Sequence, residues 1–475
     1  MDLPAERWLR RGIAVVGCLL LVALVGGSAA PQAGRRPETP PTARAGGSPP
    51  PAPPGSPAPD APEVLAPPPV LGADAGTQPA PTAAGVAHAL AALLADRRLG
   101  RRVSATVLDA RSGAVLLDRG GGRLATPAST AKLATAAAVL AVMRPADRIV
   151  TRLVAGARPA EVVLVGGGDP TLSAAAPGSE VLYDGAGRLA DLAAAARRAG
   201  VRRVTRVVVD GSRYSGPPLA PGWSAADLGS SFAAPITAVA VDGGRASPRA
   251  VVRSTEPDLA AGRALAALLG APAAAVVRGR APAGAAVLGE VRSAPLARIV
   301  EVMLLVSDNV LAEALARQVA LAEGLPATFA GAAEAVRRVL GRLGVPVAGD
   351  RLVDGSGLSR RDRMAPAVLA AVLRAAVSGG QPALQGLVPG LPVGGYDGTL
   401  GARYRAGPPT AAAGAVRAKT GSLNGVTALA GVVTDADGRL LVFAFLADRV
   451  PAGGTFGAEA ALDAAAAALA RCGCR

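Results

Sequence analysis

The segment Pro127-Ala128-Ser129-Thr130-Ala131-Lys132 opens an apolar run that continues to Val142. A proline at its start and no breaker within it predict a buried helix over 131–142, with Ser129 on the first turn. Residues i and i+3 share a helix face, so the Lys132 amine can reach the Ser129 hydroxyl. A serine needs a base to become a nucleophile. The chain has one histidine, His88, at the edge of a low-complexity stretch, so any Ser–His–Asp triad would rest wholly on it. A neutral lysine is the natural base instead. One histidine also argues against a His-rich metal site, and no metal or cofactor is expected.

Lysine usage sharpens this. Among 475 residues there are two lysines, Lys132 and Lys419, against 48 arginines. Arginine stays protonated in a protein, whereas a buried lysine can lose its proton. A lysine retained against such a bias points to amine chemistry. Lys419 opens Lys419-Thr420-Gly421 on a predicted strand from Val416, and a cation beside the Thr420 hydroxyl can hold a carboxylate. Gly421 lets a substrate backbone approach closely, and Ser422 can offer a backbone N–H from the strand edge. Asn309, one of two asparagines, ends Ser307-Asp308-Asn309 at the start of a predicted helix. Taken alone that triplet reads as a helix cap.

The ordered set S-x-x-K, S-D-N and K-T-G resembles the signature of the penicillin-recognising enzymes with an active-site serine. Some 174 residues separate Lys132 from Ser307, far more than in a β-lactamase or small carboxypeptidase. The chain is similar to the penicillin-binding protein 4 type of D-Ala-D-Ala carboxypeptidase/endopeptidase, peptidase family S13. Supporting stretches are Gly168-Asp169-Pro170-Thr171-Leu172, Ala220-Pro221-Gly222-Trp223, 354–360 (DGSGLSR) and 391–400 (LPVGGYDGTL). The likeness spans roughly Ala87–Arg449. That family commonly nests a third domain within its inserted one; about 65 residues between Val241-Asp242 and Ser307 leave no room for it here.

The resemblance implies an acyl-enzyme cycle on peptidoglycan stem peptides ending in D-Ala-D-Ala, with β-lactams as inhibitors. Ser129 would be the nucleophile and Lys132 its base. Ser307 and Lys419 would relay a proton to the leaving amine, Lys419 and Thr420 would hold the terminal carboxylate, and Asn309 would orient the substrate amide. The N–H groups of Ser129 and Ser422 would form the oxyanion hole. It also implies a pocket for a diaminopimelate side chain from Asp227, Phe232, Arg360 and Asn424, with Asp227 on the amine and Arg360 on the carboxylate. A class A β-lactamase would need a deacylating Glu on a short loop, but Glu313 and Glu323 lie in helical pattern. A non-catalytic wall-binding protein would not need Ser129, Lys132 and Lys419 intact.

Outward from these motifs, the expected fold is α+β, a penicillin-binding-protein/serine β-lactamase-like domain with an antiparallel sheet, flanking helices and a helical subdomain. The catalytic domain is assigned to 83–150 and 290–475, and a mostly β insertion to 151–289. A helix over Ala87–Leu99 and a hairpin of Ser104–Leu108 with Ala114–Asp118 lead it. Helices follow over 295–306, 309–323, 331–343 and 365–377. Strands at Val416–Thr420, Ala428–Asp435 and Leu440–Leu446 and a helix near 456–470 close it, so the sheet draws on both ends of the sequence.

Residues 1–30 carry Arg7, Arg10 and Arg11 before an apolar run from Gly12 to Ala30, an export signal that is either cleaved or kept as a membrane anchor. Cys18 reads as an ordinary residue of that run. Residues 31–82 hold 17 of the 41 prolines and read as a spacer. The remainder faces outward. Net charge is +15, all of it on residues 83–475. Scattered arginines and 2% aromatics argue against nucleic acid as partner, and an anionic extracellular matrix or membrane surface is the better match. Cys472 and Cys474 are expected either to engage a second chain or to form a redox-labile pair, since closure across one residue is strained.

Overall fold

A computed structural model describes residues 78–474. The expectations for 1–30 and for most of the 31–82 spacer fall outside these residues. The first sheet contains β1 (Val103–Asp109), β2 (Val115–Arg119), β8 (Val416–Leu423), β9 (Val426–Thr434) and β10 (Leu440–Ala447), in the order β2-β1-β10-β9-β8. Every pairing in it is antiparallel. The first and last portions of the described chain thus share one sheet.

Period-2 alternation sends the strand residues into two cores. Along β10, Leu441, Phe443 and Phe445 enter a core beneath α1 (Ala83–Leu94) and α9 (Thr455–Ala470), while Val442, Ala444 and Leu446 enter a second core on the opposite face. A strand covered on both faces needs no polar side, hence the continuous apolar run LLVFAFLA. The second core is filled by α2 (Lys132–Val142), α5 (Leu296–Leu305), α6 (Asn309–Ala322), α7 (Phe329–Arg342) and α8 (Pro366–Val377). Nine consecutive residues of α2, Lys132 to Leu140, are buried. Their small Ala side chains let neighbouring elements close on all sides of the helix that carries Lys132.

The second sheet comprises β3 (Val150–Ala155), β4 (Glu161–Val165), β5 (Arg206–Asp210), β6 (Val276–Arg278) and β7 (Val287–Arg292), in the order β6-β5-β4-β3-β7. It is mixed: β4–β5 and β5–β6 are parallel, and β3 runs antiparallel to β4 and β7. Parallel neighbours require crossovers, and α3 (Leu189–Arg198) and α4 (Pro257–Leu269) provide them. Neither helix is anticipated from the Val-rich, Gly/Pro-punctuated sequence. Both cover one face of this sheet, where Leu189, Leu192, Ala261 and Leu265 meet Leu153, Leu164, Val207 and Val209. The loop from Tyr214 to Ile236 packs back on α6 and α7 through Ala220, Trp223, Ala234, Val310 and Phe329, with the Trp223 and Phe329 rings edge-to-face at 5.5 Å.

Two local differences from expectation have clear causes. The first helix starts at Ala83, four residues early, because Thr82 Oγ1 accepts from Gly85 N–H as an N-cap. Ser129 lies in a 3₁₀ turn, Ala128–Ala131, ahead of α2 and not within the α-helix. Cys472 and Cys474 are bonded to each other in one disulfide. Thr82 N–H and Oγ1 both donate to the Cys474 carbonyl, at 2.6 and 3.1 Å, pinning the start of α1 to the end of the chain.

Replacing the cap by Thr82→Ala is expected to cost about 1 kcal/mol of unfolding free energy. Urea denaturation measures this, and an unchanged midpoint would show that the cap does not hold α1.

Candidate active site

The turn carrying Ser129 is wedged between two backbones. Ala128 has φ +47°, rare for a residue with a Cβ. On one side Gly357, at φ +77°, approaches so closely that a Cβ there would lie 1.9 Å from the Ala128 carbonyl oxygen. On the other, a Cβ on Gly421 of β8 would meet the Pro127 carbonyl oxygen at 2.8 Å. Thr130 Oγ1 donates to the Pro127 carbonyl at 2.6 Å and closes the turn. In a 3₁₀ turn residues i and i+3 eclipse, which lines Lys132 up with Ser129.

Lys132 Nζ donates to Ser129 Oγ at 3.1 Å, to Asn309 Oδ1 at 2.6 Å and to the Ser356 carbonyl at 2.8 Å. Its side chain is fully buried. Burial lowers its pKa to about 8, against the opposing pull of Asp354, Glu313 and Asp308. A base poised within reach of neutrality, 3.1 Å from a hydroxyl, meets the geometric and protonic needs of a serine activator.

The Ser-Asp-Asn triplet divides its labour. Asp308 caps α6, accepting from Val310 and Leu311 N–H. It also accepts from Arg253 Nη2 at 2.8 Å and Tyr183 OH at 2.9 Å, both from the chain between β3 and β7. The buried Arg253 guanidinium holds the Asp308 carboxyl well below the usual range, although burial pushes the other way. Arg253 Nε donates to the Ser231 carbonyl at 3.1 Å, and Asn309 Nδ2 donates to the neighbouring Phe232 carbonyl at 3.1 Å. Chain between β3 and β7 therefore fixes the triplet. Ser307, half-buried, sits at φ +59°. An L-residue held there is strained, a condition that clusters at functional sites.

Lys419 is fully buried, and its Nζ donates to the Thr420 carbonyl at 3.0 Å. Burial, with Lys132 and Arg403 as like charges, pushes its pKa well below the ordinary lysine value. Thr420 Oγ1 donates to Thr399 Oγ1 at 2.8 Å. Ser422 Oγ donates to Glu459, so its hydroxyl is turned to α9 while its backbone belongs to the edge strand β8. Of the remaining expected residues, Arg360 Nη1 donates to the Asn424 carbonyl at 2.9 Å, joining those two. The Phe232 ring is half exposed. Asp227 accepts from Ser224 N–H in a capping box within its own turn, so hydrogen bonding does not draw it to Arg360.

Several participants carried no motif. Glu313, fully buried on α6, accepts from the N–H groups of Gly355 and Ser356 and is not a solvent-facing deacylating group. Glu323 pairs with Arg342 at 2.6 Å. Asp354 gathers the N–H groups of Gly357 and Ser359 and Trp223 Nε1. The i, i+4 spacing of Asn309 and Glu313, which puts both on one face of α6, is the signal that could have flagged Glu313.

Known proteins bear on this geometry. The chain matches the family model described as the D-Ala-D-Ala carboxypeptidase 3 (S13) family over residues 86–253 and 246–469. It is 45% identical over 405 residues to a carboxypeptidase of Mycobacterium tuberculosis, covering 84% of this chain and 87% of that one. It is 45% identical over 430 residues to carboxypeptidase DacB of Mycolicibacterium smegmatis, covering 87% and 92%. The fold is similar to the crystal structure of penicillin binding protein 4 from Haemophilus influenzae, with TM-score 0.67, 22% identity and coverage of 80% of this chain and 97% of that one.

Removing Arg253 would leave the Asp308 carboxylate buried without its counter-charge. Arg253→Met is expected to lower unfolding free energy by about 3–5 kcal/mol. Chemical denaturation checks this, and a loss under about 1 kcal/mol would show that the pair does not hold the triplet.

Proposed function

The chain belongs to the D-Ala-D-Ala carboxypeptidase 3 (S13) family and is a hydrolase of that kind, a D-Ala-D-Ala carboxypeptidase, and we propose that Ser129 is its nucleophile on peptidoglycan stem peptides. The observation that carries this is the 3.1 Å hydrogen bond from Lys132 Nζ to Ser129 Oγ, with that amine held at a pKa of about 8.

Neutral Lys132 takes the Ser129 proton as Oγ adds to the carbonyl carbon between the two terminal D-alanines. Negative charge develops on the carbonyl oxygen, and the N–H groups of Ser129 and Ser422 receive it. Collapse breaks the C–N bond. The leaving amine gains its proton through Ser307 and Lys419, and the acyl group stays on Oγ until water displaces it. Burial and two like charges disfavour the charge on Lys419, and an arriving C-terminal carboxylate offsets them as a counter-charge, with Thr420 as a second contact. Asn309, already fixed between Lys132 and the Phe232 carbonyl, orients the scissile amide. Asp227, Phe232, Arg360 and Asn424 are the proposed wall for the third-residue side chain. A β-lactam, whose strained amide and carboxylate resemble this substrate, would acylate Ser129 in the same way.

The enzyme acts at the cell envelope. In this proposal residues 1–30 direct export or anchor the chain, 31–82 act as spacer, 83–150 with 290–475 are catalytic, and 151–289 are the insertion that grips the Ser-Asp-Asn turn. Among the described residues no single helix is long and apolar enough to cross a membrane.

Incubation with a penicillin should add the mass of one ring-opened drug to the peptide carrying Ser129, and Ser129→Ala should gain none. Labelling that persists in that variant would remove Ser129 as nucleophile. Acylation should rise with pH through about 8 as Lys132 loses its proton. Lys132→Arg, whose guanidinium stays protonated, should acylate at least about 10²-fold more slowly. Near-normal acylation by a folded Lys132→Arg protein, judged by its melting temperature, would rule out lysine as the base.

A further inference from the structure

The third acceptor of the Lys132 amine is the Ser356 carbonyl, 2.8 Å away and 224 residues distant in sequence. Nothing about a backbone carbonyl in a Gly-Ser-Gly loop fixes its position unless the loop itself is held. Asp354 Oδ1 holds part of it, accepting from Ser356 N–H at 3.2 Å and Gly357 N–H at 2.7 Å, and the second holding group is Glu313. Its Oε1 accepts from Gly355 N–H at 3.0 Å and Ser356 N–H at 2.8 Å, and its Oε2 also lies 3.0 Å from the Gly355 nitrogen. Thr135 Oγ1, one turn along α2 from Lys132, donates to the Gly355 carbonyl at 2.6 Å and grips the same peptide from the other side. Glu313, Thr135 and Ser356 are all fully buried.

We propose that Glu313 is a positioning residue for acylation: by gathering the Gly355 and Ser356 amides it holds the Ser356 carbonyl against Lys132 Nζ and so aims that amine at Ser129 Oγ. The inference deepens the Ser129–Lys132 reading and rests on it. Of the three oxygens around the amine, Asn309 and Ser356 flank it, which leaves the remaining direction for the hydroxyl whose proton it must take. A carboxylate suits the task because both incoming groups are N–H donors, and an amide would present one of them with another donor.

Charge gives the proposal a signature that a merely structural role lacks. The groups facing Lys132 are Asp308 and Glu313 from α6, Asp354 from the loop, Arg253 from the insertion and Lys419 from β8. Those facing Glu313 are Asp354, Asp362 and the buried Arg317, whose Nη1 is 4.0 Å from Oε2. Burial and Asp354 push the Glu313 pKa up, yet both its oxygens meet N–H donors, which favour the anion, and that charge favours the protonated Lys132 amine. Removing that charge lowers the pH at which Lys132 becomes neutral.

The test is the pH profile of penicillin acylation by the full chain. Glu313→Gln should acylate on the order of 10–100-fold more slowly on its high-pH plateau, the scale of an ångström's misplacement at a reacting centre. Its midpoint should also move to lower pH than in the wild type. Thr135→Val, which loosens the same peptide without changing charge, should slow acylation and leave the midpoint in place. A folded Glu313→Gln protein with the wild-type plateau, or with the wild-type midpoint, would overturn the proposal. Should that variant not fold, wild-type acylation by Thr135→Val would overturn it instead. A wild-type chain that takes no label at Ser129 would sink the nucleophile assignment itself, a separate result.

Discussion

A lysine amine sealed from water inside a helical layer constrains nearly everything around it. Burying an ammonium is costly, so its hydrogens must be matched by oxygens or its proton must leave. Lys132 does some of each, with three acceptors around Nζ and a pKa drawn down to about 8. Each acceptor comes from a different part of the chain: a 3₁₀ turn, the first residue of α6, and the loop after α7. Bringing them within 3.1 Å of one atom fixes how those elements meet.

The close approaches in the fold follow from this convergence. Gly357 and Gly421 flank the Ser129 turn where no Cβ fits, and Ala128 and Ser307 accept positive φ where their side chains disfavour it. Such strain persists only where surroundings over-determine the backbone. Here they do: Asp308 is held by a helix start, an arginine and a tyrosine, and Asp354 by two N–H groups of its own loop and the Trp223 indole. Lys419 is the counterpart with no acid paired to it among the described residues. Burial and its neighbours Lys132 and Arg403 disfavour its charge, and in the proposed function an arriving carboxylate offsets them.

Local chemistry made much of this legible in the sequence. The two retained lysines mark both amines, and the alternating or continuous apolar runs give the strands of the first sheet to within three residues. The order of the three motifs points to the family that the comparisons show. What stayed hidden is non-local. Helix α3 is Ala-rich with arginines at its end, set among Val and Gly segments that read as strands. No neighbour in sequence tells Arg253 that it will meet Asp308, or Ser356 that its carbonyl will face Lys132. Glu313 was visible as a helical residue, but the amides it serves lie 42 and 43 residues away. Asp227 is a different case: the resemblance suggests a role for it, and its carboxylate also accepts from Ser224 N–H in its own turn.

With two lysines in 475 residues, the central claim is open to direct observation. Protein labelled with ¹⁵N at lysine Nζ should give two side-chain signals, assigned by the loss of one in Lys132→Arg. Following them with pH, the Lys132 signal is predicted to titrate at about 8. A Lys132 amine that stays protonated up to its ordinary value near 10.5 would contradict the account, because an ammonium cannot accept the proton of Ser129.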